Sequence, residues 1–123
     1  MPSVLAAGDR LRINTAAQKP NDKIRSMKLI FEWDKQKAAS NLRRHKVSFN
    51  EAEEVFGDPK AETYFDEMHS RDEHRFFTIG MSLASRVLLV VHTENHVEAD
   101  DVIIRIISCR KATSTERKLY EQE

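Results

Sequence analysis

The sequence predicts an α+β fold in which an N-terminal strand and a helical hairpin pack on an antiparallel sheet of about four strands, followed by a C-terminal helix. Three observations predict it. Two helix-start signals stand close together in the first half. The apolar period turns from helical to extended after Pro59, and one more capping signal follows the last apolar run.

Lys28 to Trp33 has the aromatic and β-branched content of a short strand. Asp34 is placed to cap a helix running to about Arg44, with Ala38, Ala39 and Leu42 spaced for a modest apolar face. Ser48 and Glu51 make an S-x-x-E capping box. Phe49, Ala52, Val55 and Phe56 then form an apolar stripe that Gly57-Asp58-Pro59 stops. Residues 60–66, 75–81, 86–93 and 102–108 read as strands, with residues 82–85 short enough for a hairpin. Val87 to Val91 is apolar at every position, as a strand covered on both sides requires. Glu94 to Asp101 holds four acidic residues and His96, and is expected to be an exposed acidic connection. Thr113 and Glu116 form a T-x-x-E capping box opening the last helix, to about Glu121.

A chain of 123 residues with 40% hydrophobic content suits one core and one domain, expected over residues 27–123. Residues 1–26 lack sustained periodicity and read as a disordered leader, with Met27 as a candidate functional start. Charges at Asp9, Arg10 and Arg12 break the only weakly apolar stretch near the start, so no secretory signal is read. No apolar run reaches the roughly 18 residues that span a bilayer, so no membrane partner and a cytoplasmic location are expected. Cys109 is the only cysteine, which excludes an internal disulfide and points to a packed thiol. Net charge is zero, but residues 1–26 carry five basic against two acidic residues, which leaves the remainder at −3. Non-specific nucleic-acid binding rests on many phosphate-facing cations, so any such site here must be a local cluster.

Several blocks together resemble a known family. Phe31-Glu32-Trp33-Asp34 with Lys37, then Asn41, Arg44-His45, Val47-Ser48-Phe49 and Glu51-Ala52, resemble the opening of BrnT toxins from bacterial BrnT/BrnA toxin–antitoxin pairs. Arg75-Phe76, Ile79-Gly80, the run Arg105 to Ala112, and Glu116-Arg117 resemble the family's central and closing blocks, in the same order over residues 28–121. The resemblance implies a RelE-like fold and ribonuclease activity on cellular RNA. It also implies a BrnA-like ribbon-helix-helix antitoxin, through which alone operator DNA would be contacted. No cofactor is expected.

Metal-independent RNA cleavage needs a base for the 2′-OH proton, an acid for the leaving oxygen, and cations for the charged phosphorus intermediate. Arg75, Arg105 and Arg110 lie in or beside the strand segments, and a guanidinium holds phosphate oxygens bidentately. By strand parity Arg105 stands between Ile103 and Ile107 on an apolar face. There it can bind phosphate, pair with a carboxylate, or reach the sheet edge. Arg110 and Lys111 open the densest basic cluster of the body, for RNA contact or plain solvation. His45 is the acid/base candidate by residue type, although a histidine at a helix C-terminus is also favoured by the helix dipole. Lys37 is a phosphate-ligand candidate on a face that is otherwise simply solvated, and the capping role accounts for Glu116.

Two functions of different class follow from these residues: an RNA-cleaving toxin, and a non-catalytic module binding a DNA-binding partner. A helix-turn-helix reading of residues 34–56 fails on charge, since Glu51, Glu53 and Glu54 occupy the would-be recognition helix. The pairs His92/His96 and His69/His74 lack a cysteine and a helical setting, so no metal site is expected.

Overall fold

The computed structural model describes residues 28–67, 74–97 and 100–122. The leader of residues 1–26, Met27 and His69 lie outside the described residues. The elements are β1 (Lys28–Glu32), α1 (Lys35–His45), α2 (Phe49–Glu54) with a 3-10 turn at Val55–Gly57, β2 (Glu62–Phe65), β3 (Arg75–Met81), β4 (Val87–His96), β5 (Asp101–Lys111) and α3 (Ser114–Glu121).

The strands form one sheet of order β1-β5-β4-β3-β2. Strands β2 to β5 pair antiparallel, whereas β1 joins the edge parallel to β5, with Lys28 opposite Asp101 and Glu32 opposite Arg105. The sheet is therefore five-stranded and mixed, where about four antiparallel strands were expected. The reason lies in β1 itself: Leu29 and Phe31 pack on the main core, and the backbone of a chain drawn into that core needs hydrogen-bond partners, which the free edge of β5 supplies.

One sheet face packs against α1 and α2 through Val47, Phe49, Ala52, Val55 and Phe56 over Leu88, Val90, Val102, Ile104, Ile106 and Cys109. The other carries a smaller cluster of Ile79, Val87 and Leu89, covered by Tyr120 of α3. At Gly80 the 3-10 turn and the residues after it approach the sheet closely, since a Cβ there would lie 2.8 Å from Val55 Cγ1 and 2.9 Å from the Ala61 Cβ. Asp58 ties this corner together, its Oδ2 accepting from the Tyr120 hydroxyl and the Met81 N–H, each at 2.8 Å.

The caps form as their chemistry requires, with one exception. Asp34 accepts from Lys37 N at 2.9 Å, and Lys46 closes α1 in the left-handed conformation at φ 62. Thr113 and Glu116 form the complete expected capping box. At α2 only half of the expected box is present: Ser48 accepts from Glu51 N, but the Glu51 carboxylate turns to Arg86 and to Ser82 Oγ, 2.7 Å away. A guanidinium is a stronger partner for a carboxylate than a neutral backbone N–H, so the longer-range contact prevails.

Three further expectations are corrected. The buried position of α1 is Asn41, whereas Leu42 is 49% exposed and Ala39 also faces solvent. The acidic connection is shorter than expected, because β4 continues to His96 and β5 starts at Asp101. Glu94 lies within the ladder with a side chain 0% exposed, 3.9 Å from His92 Nδ1, because it shares the inward face of β4 with His92. Finally, His92 pairs with Ile106 while Val91 pairs with Ser108, so Ile107 is an extra residue in β5. That bulge breaks the simple alternation by which Ile107 was expected to share a face with Arg105.

Asn41 docks α1. Its Nδ2 donates to Cys109 O at 2.8 Å and to Val47 O at 3.0 Å, while its Oδ1 accepts from Cys109 N at 3.1 Å. Replacing Asn41 by Ala leaves buried backbone groups unpaired, so Asn41→Ala should lower the unfolding free energy by about 2–4 kcal/mol in urea titrations. Asn41→Asp should lower it too, because the carboxylate cannot donate.

Candidate functional site

Because β1 ends at Glu32, β5 has an open edge from Ile106 onward, and α1 lies along it. Between them is a groove of about 230 Å³, lined by Lys37, Ser40, Asn41, Arg44 and His45 of α1 and by Ile107 and Ser108 of β5. The α1 residues recur at i, i+3, i+4, i+7 and i+8, which is one helix face. Among the described residues seven line it, three with basic side chains and none with a carboxylate. The groove thus combines two fixed cations, an imidazole and two hydroxyls against the strand bulge, a donor set suited to a phosphate.

The second group stands on the sheet face opposite α1 and α2. Arg75, Thr93, Arg105 and Glu32 are successive cross-strand partners on β3, β4, β5 and β1, so their side chains share one row. Arg105 Nη1 donates to Glu32 Oε2 at 3.1 Å. Arg110 lies on the same face, because the bulge shifts the parity of β5 between the two arginines. Its guanidinium binds Glu116 with Nη1 to Oε1 at 2.8 Å and Nη2 to Oε2 at 3.0 Å. That pairing holds the Glu116 carboxyl below the ordinary carboxylate range and raises Arg110.

The sequence-predicted residues therefore divide. His45 and Lys37 line the same groove at the β5 edge, Arg75 and Arg105 share the row, and Arg110 is joined to the cap of α3. Lys111 ends β5 opposite Leu88, on the helical-hairpin side of the sheet, and lines neither place. Sequence reasoning missed Arg44, Ser40 and Ser108. The helical spacing from Lys37 was a legible signal for the first two, whereas Ser108 joins the groove through a bulge that no residue pattern announced.

The other candidates have structural roles. Burial pushes the Cys109 thiol up to about 12, so it stays protonated and non-nucleophilic at neutral pH. Nε2 of His92 is 2.8 Å from Thr78 Oγ1, which in turn meets Thr63 Oγ1 at 2.8 Å. His92 and His96 sit four residues apart on a strand, about 13 Å, too far to share an ion. Among the described residues no cluster of three His, Cys, Asp or Glu could hold a metal ion, and no helix is long and apolar enough to cross a membrane.

The fold and groove define a small α+β protein with a basic cleft at a sheet edge. Residues 33–116 match the family model described as ribonuclease toxin, BrnT, of type II toxin–antitoxin systems, and the chain belongs to that family. Such a family implies an antitoxin partner. The crystal structure of the Brucella abortus ribonuclease toxin BrnT is similar, at 22% sequence identity and a TM-score of 0.48, covering 72% of this chain and 99% of that one. No curated protein matches the chain.

His92 provides a direct check on the interior. Burial lowers its pKa from 6.5 to about 3, so the folded protein holds it neutral while the unfolded chain protonates it below about pH 6.5. Stability should then fall as pH drops from about 6.5 to 3, by up to about 1.4 kcal/mol per pH unit from this group. The His92 ring signals in NMR should stay constant from pH 8 to 4.

Proposed function

We propose that the chain is a metal-independent endoribonuclease toxin acting from the His45 groove. The observation that carries this reading is the groove beside the bulge of β5, lined by Lys37, Arg44 and His45 and, among the described residues, by no carboxylate. His45 takes the proton from the RNA 2′-OH, and the 2′ oxygen attacks the adjacent phosphorus. A 2′,3′-cyclic phosphate forms as the bond to the 5′ oxygen breaks, and protonated Lys37 supplies the leaving oxygen's proton. Arg44 binds the phosphate oxygens as their charge grows. Arg75 and Arg105 hold the RNA on the adjoining sheet face, and Arg110 joins them by exchanging Glu116 for a phosphate. Lys111 adds positive charge at the strand end.

The working unit in this reading is residues 27–123, related in fold to RelE-type toxins and acting on RNA in the cytoplasm. Its partner is a BrnA-like ribbon-helix-helix antitoxin, and operator DNA is met only through it. One observation favours a non-catalytic reading: Arg105 and Arg110 are already paired, with Glu32 and Glu116. In that case the chain acts only as a binding module for its DNA-binding partner.

Purified protein should cut single-stranded RNA in the presence of a chelator and leave 2′,3′-cyclic phosphate ends. His45→Ala and Lys37→Ala should each lower the rate about 10²–10⁴-fold while leaving the circular dichroism spectrum unchanged. A wild-type chain that binds an antitoxin yet leaves RNA whole would establish the binding-module reading instead.

A further inference from the structure

A second cavity lies over Arg105, about 360 Å³ in volume, with Glu32, His74, Thr93, Asn95, Ile103 and Arg105 in its wall and Glu94 contributing from the interior. It shares β5 with the His45 groove. From Arg105 to Ile107 and Ser108 is two to three residues of strand, roughly 7–10 Å along the backbone, and because β1 ends at Glu32 a nucleotide chain can cross the bare β5 edge from the groove to the opposite sheet face. An RNA strand with a phosphate in the first groove would bring a neighbouring base to this cavity.

The wall has the chemistry of a base-reading pocket. Arg105 and Glu32 are joined by one bond between Nη1 and Oε2, and their side chains are 46% and 50% exposed. Other guanidinium N–H groups and the second carboxylate oxygen are therefore available to a ligand. They present a two-oxygen acceptor directly beside a donor fork. Ile103 offers an apolar surface, and the His74 ring, 5.6 Å from the Phe65 ring, offers a π face for stacking.

Guanine complements that order of groups. Its edge carries two adjacent N–H donors, at N1 and N2, followed by the O6 and N7 acceptors. A carboxylate takes the first two, and an arginine beside it binds the others. Adenine and cytosine each set an amino group against an acceptor ring nitrogen, which would face the second carboxylate oxygen, and uracil offers a single imide N–H between two carbonyls. We infer that this cavity is a nucleobase subsite that selects guanine next to the cleaved bond, with Glu32 and Arg105 as the reading pair. The inference rests on the RNA reading of the His45 groove, but its test does not need cleavage.

The probes are five-nucleotide 2′-O-methyl uridine oligomers carrying one central guanine, adenine or cytosine, or uridine throughout. They cannot be cut through a 2′-OH, and their binding to the full chain is read by fluorescence anisotropy. The guanine oligomer should bind roughly ten- to a hundredfold more tightly than the others. Glu32→Gln should abolish that preference while retaining binding of the all-uridine oligomer, and Arg105→Ala should weaken the guanine oligomer most. Both side chains are half exposed, and constant His92 NMR signals would report that the variants fold. Equal binding of all four probes, preference for another base, or a guanine preference that survives Glu32→Gln would overturn the inference. A chain that selects guanine but never cuts natural RNA keeps the subsite and refutes the cleavage mechanism, whereas cleavage without base preference does the reverse.

Discussion

One side chain fixes the relation between helix and sheet. Where β1 ends, the backbone of β5 has an open edge, and at Cys109 that edge is buried. A buried N–H or C=O without a partner costs about 1–3 kcal/mol, so the edge must be filled. Asn41 fills it with both ends of its amide, accepting from Cys109 N and donating to Cys109 O, as a neighbouring strand would. The remaining Nδ2 hydrogen reaches Val47 O and fixes the link into α2. With Asn41 seated, Lys37, Ser40, Arg44 and His45 have only one direction in which to face. The groove is thus a consequence of how an unpaired strand edge is satisfied.

The same sheet keeps its charged groups on separate surfaces. On the hairpin side, Arg86 bridges Glu51 and Lys46 O and holds the β3–β4 turn against α2, so its charge is spent on structure. On the opposite face Arg110 is linked through Glu116 to the cap of α3, and Arg105 to Glu32. The groove cations differ, because among the described residues no carboxylate lines their groove. That difference in company, more than residue type, separates cations that hold the fold from those available to an anion.

Much of this was legible in the residues. The caps at Asp34 and Thr113, the stripe of α2 and the strands follow from local chemistry that the tertiary structure does not oppose, whereas at Ser48 the Glu51 half of the box is lost to Arg86. What was not legible depends on pairing. A short strand such as β1 carries no mark of whether its neighbour runs parallel. Leu42 was read as part of the apolar face, and nothing in the local pattern marked Asn41 as the buried residue, because its partner Cys109 is 68 positions away. Glu94 was read as part of an acidic loop because its neighbours in sequence are acidic, whereas the length of the β4 ladder draws it inward. The bulge at Ile107 had no signal in the residues, yet it decides which arginines share a face.

The family assignment supplies the class of protein, and the His45 groove is the place we propose for its chemistry. The most direct test is a crystal structure of the chain with a short RNA made resistant by a 2′-deoxy substitution at the scissile position. A phosphate seated between Lys37, Arg44 and His45, against Ser108, is the predicted result. RNA bound with no phosphate in that groove would contradict it.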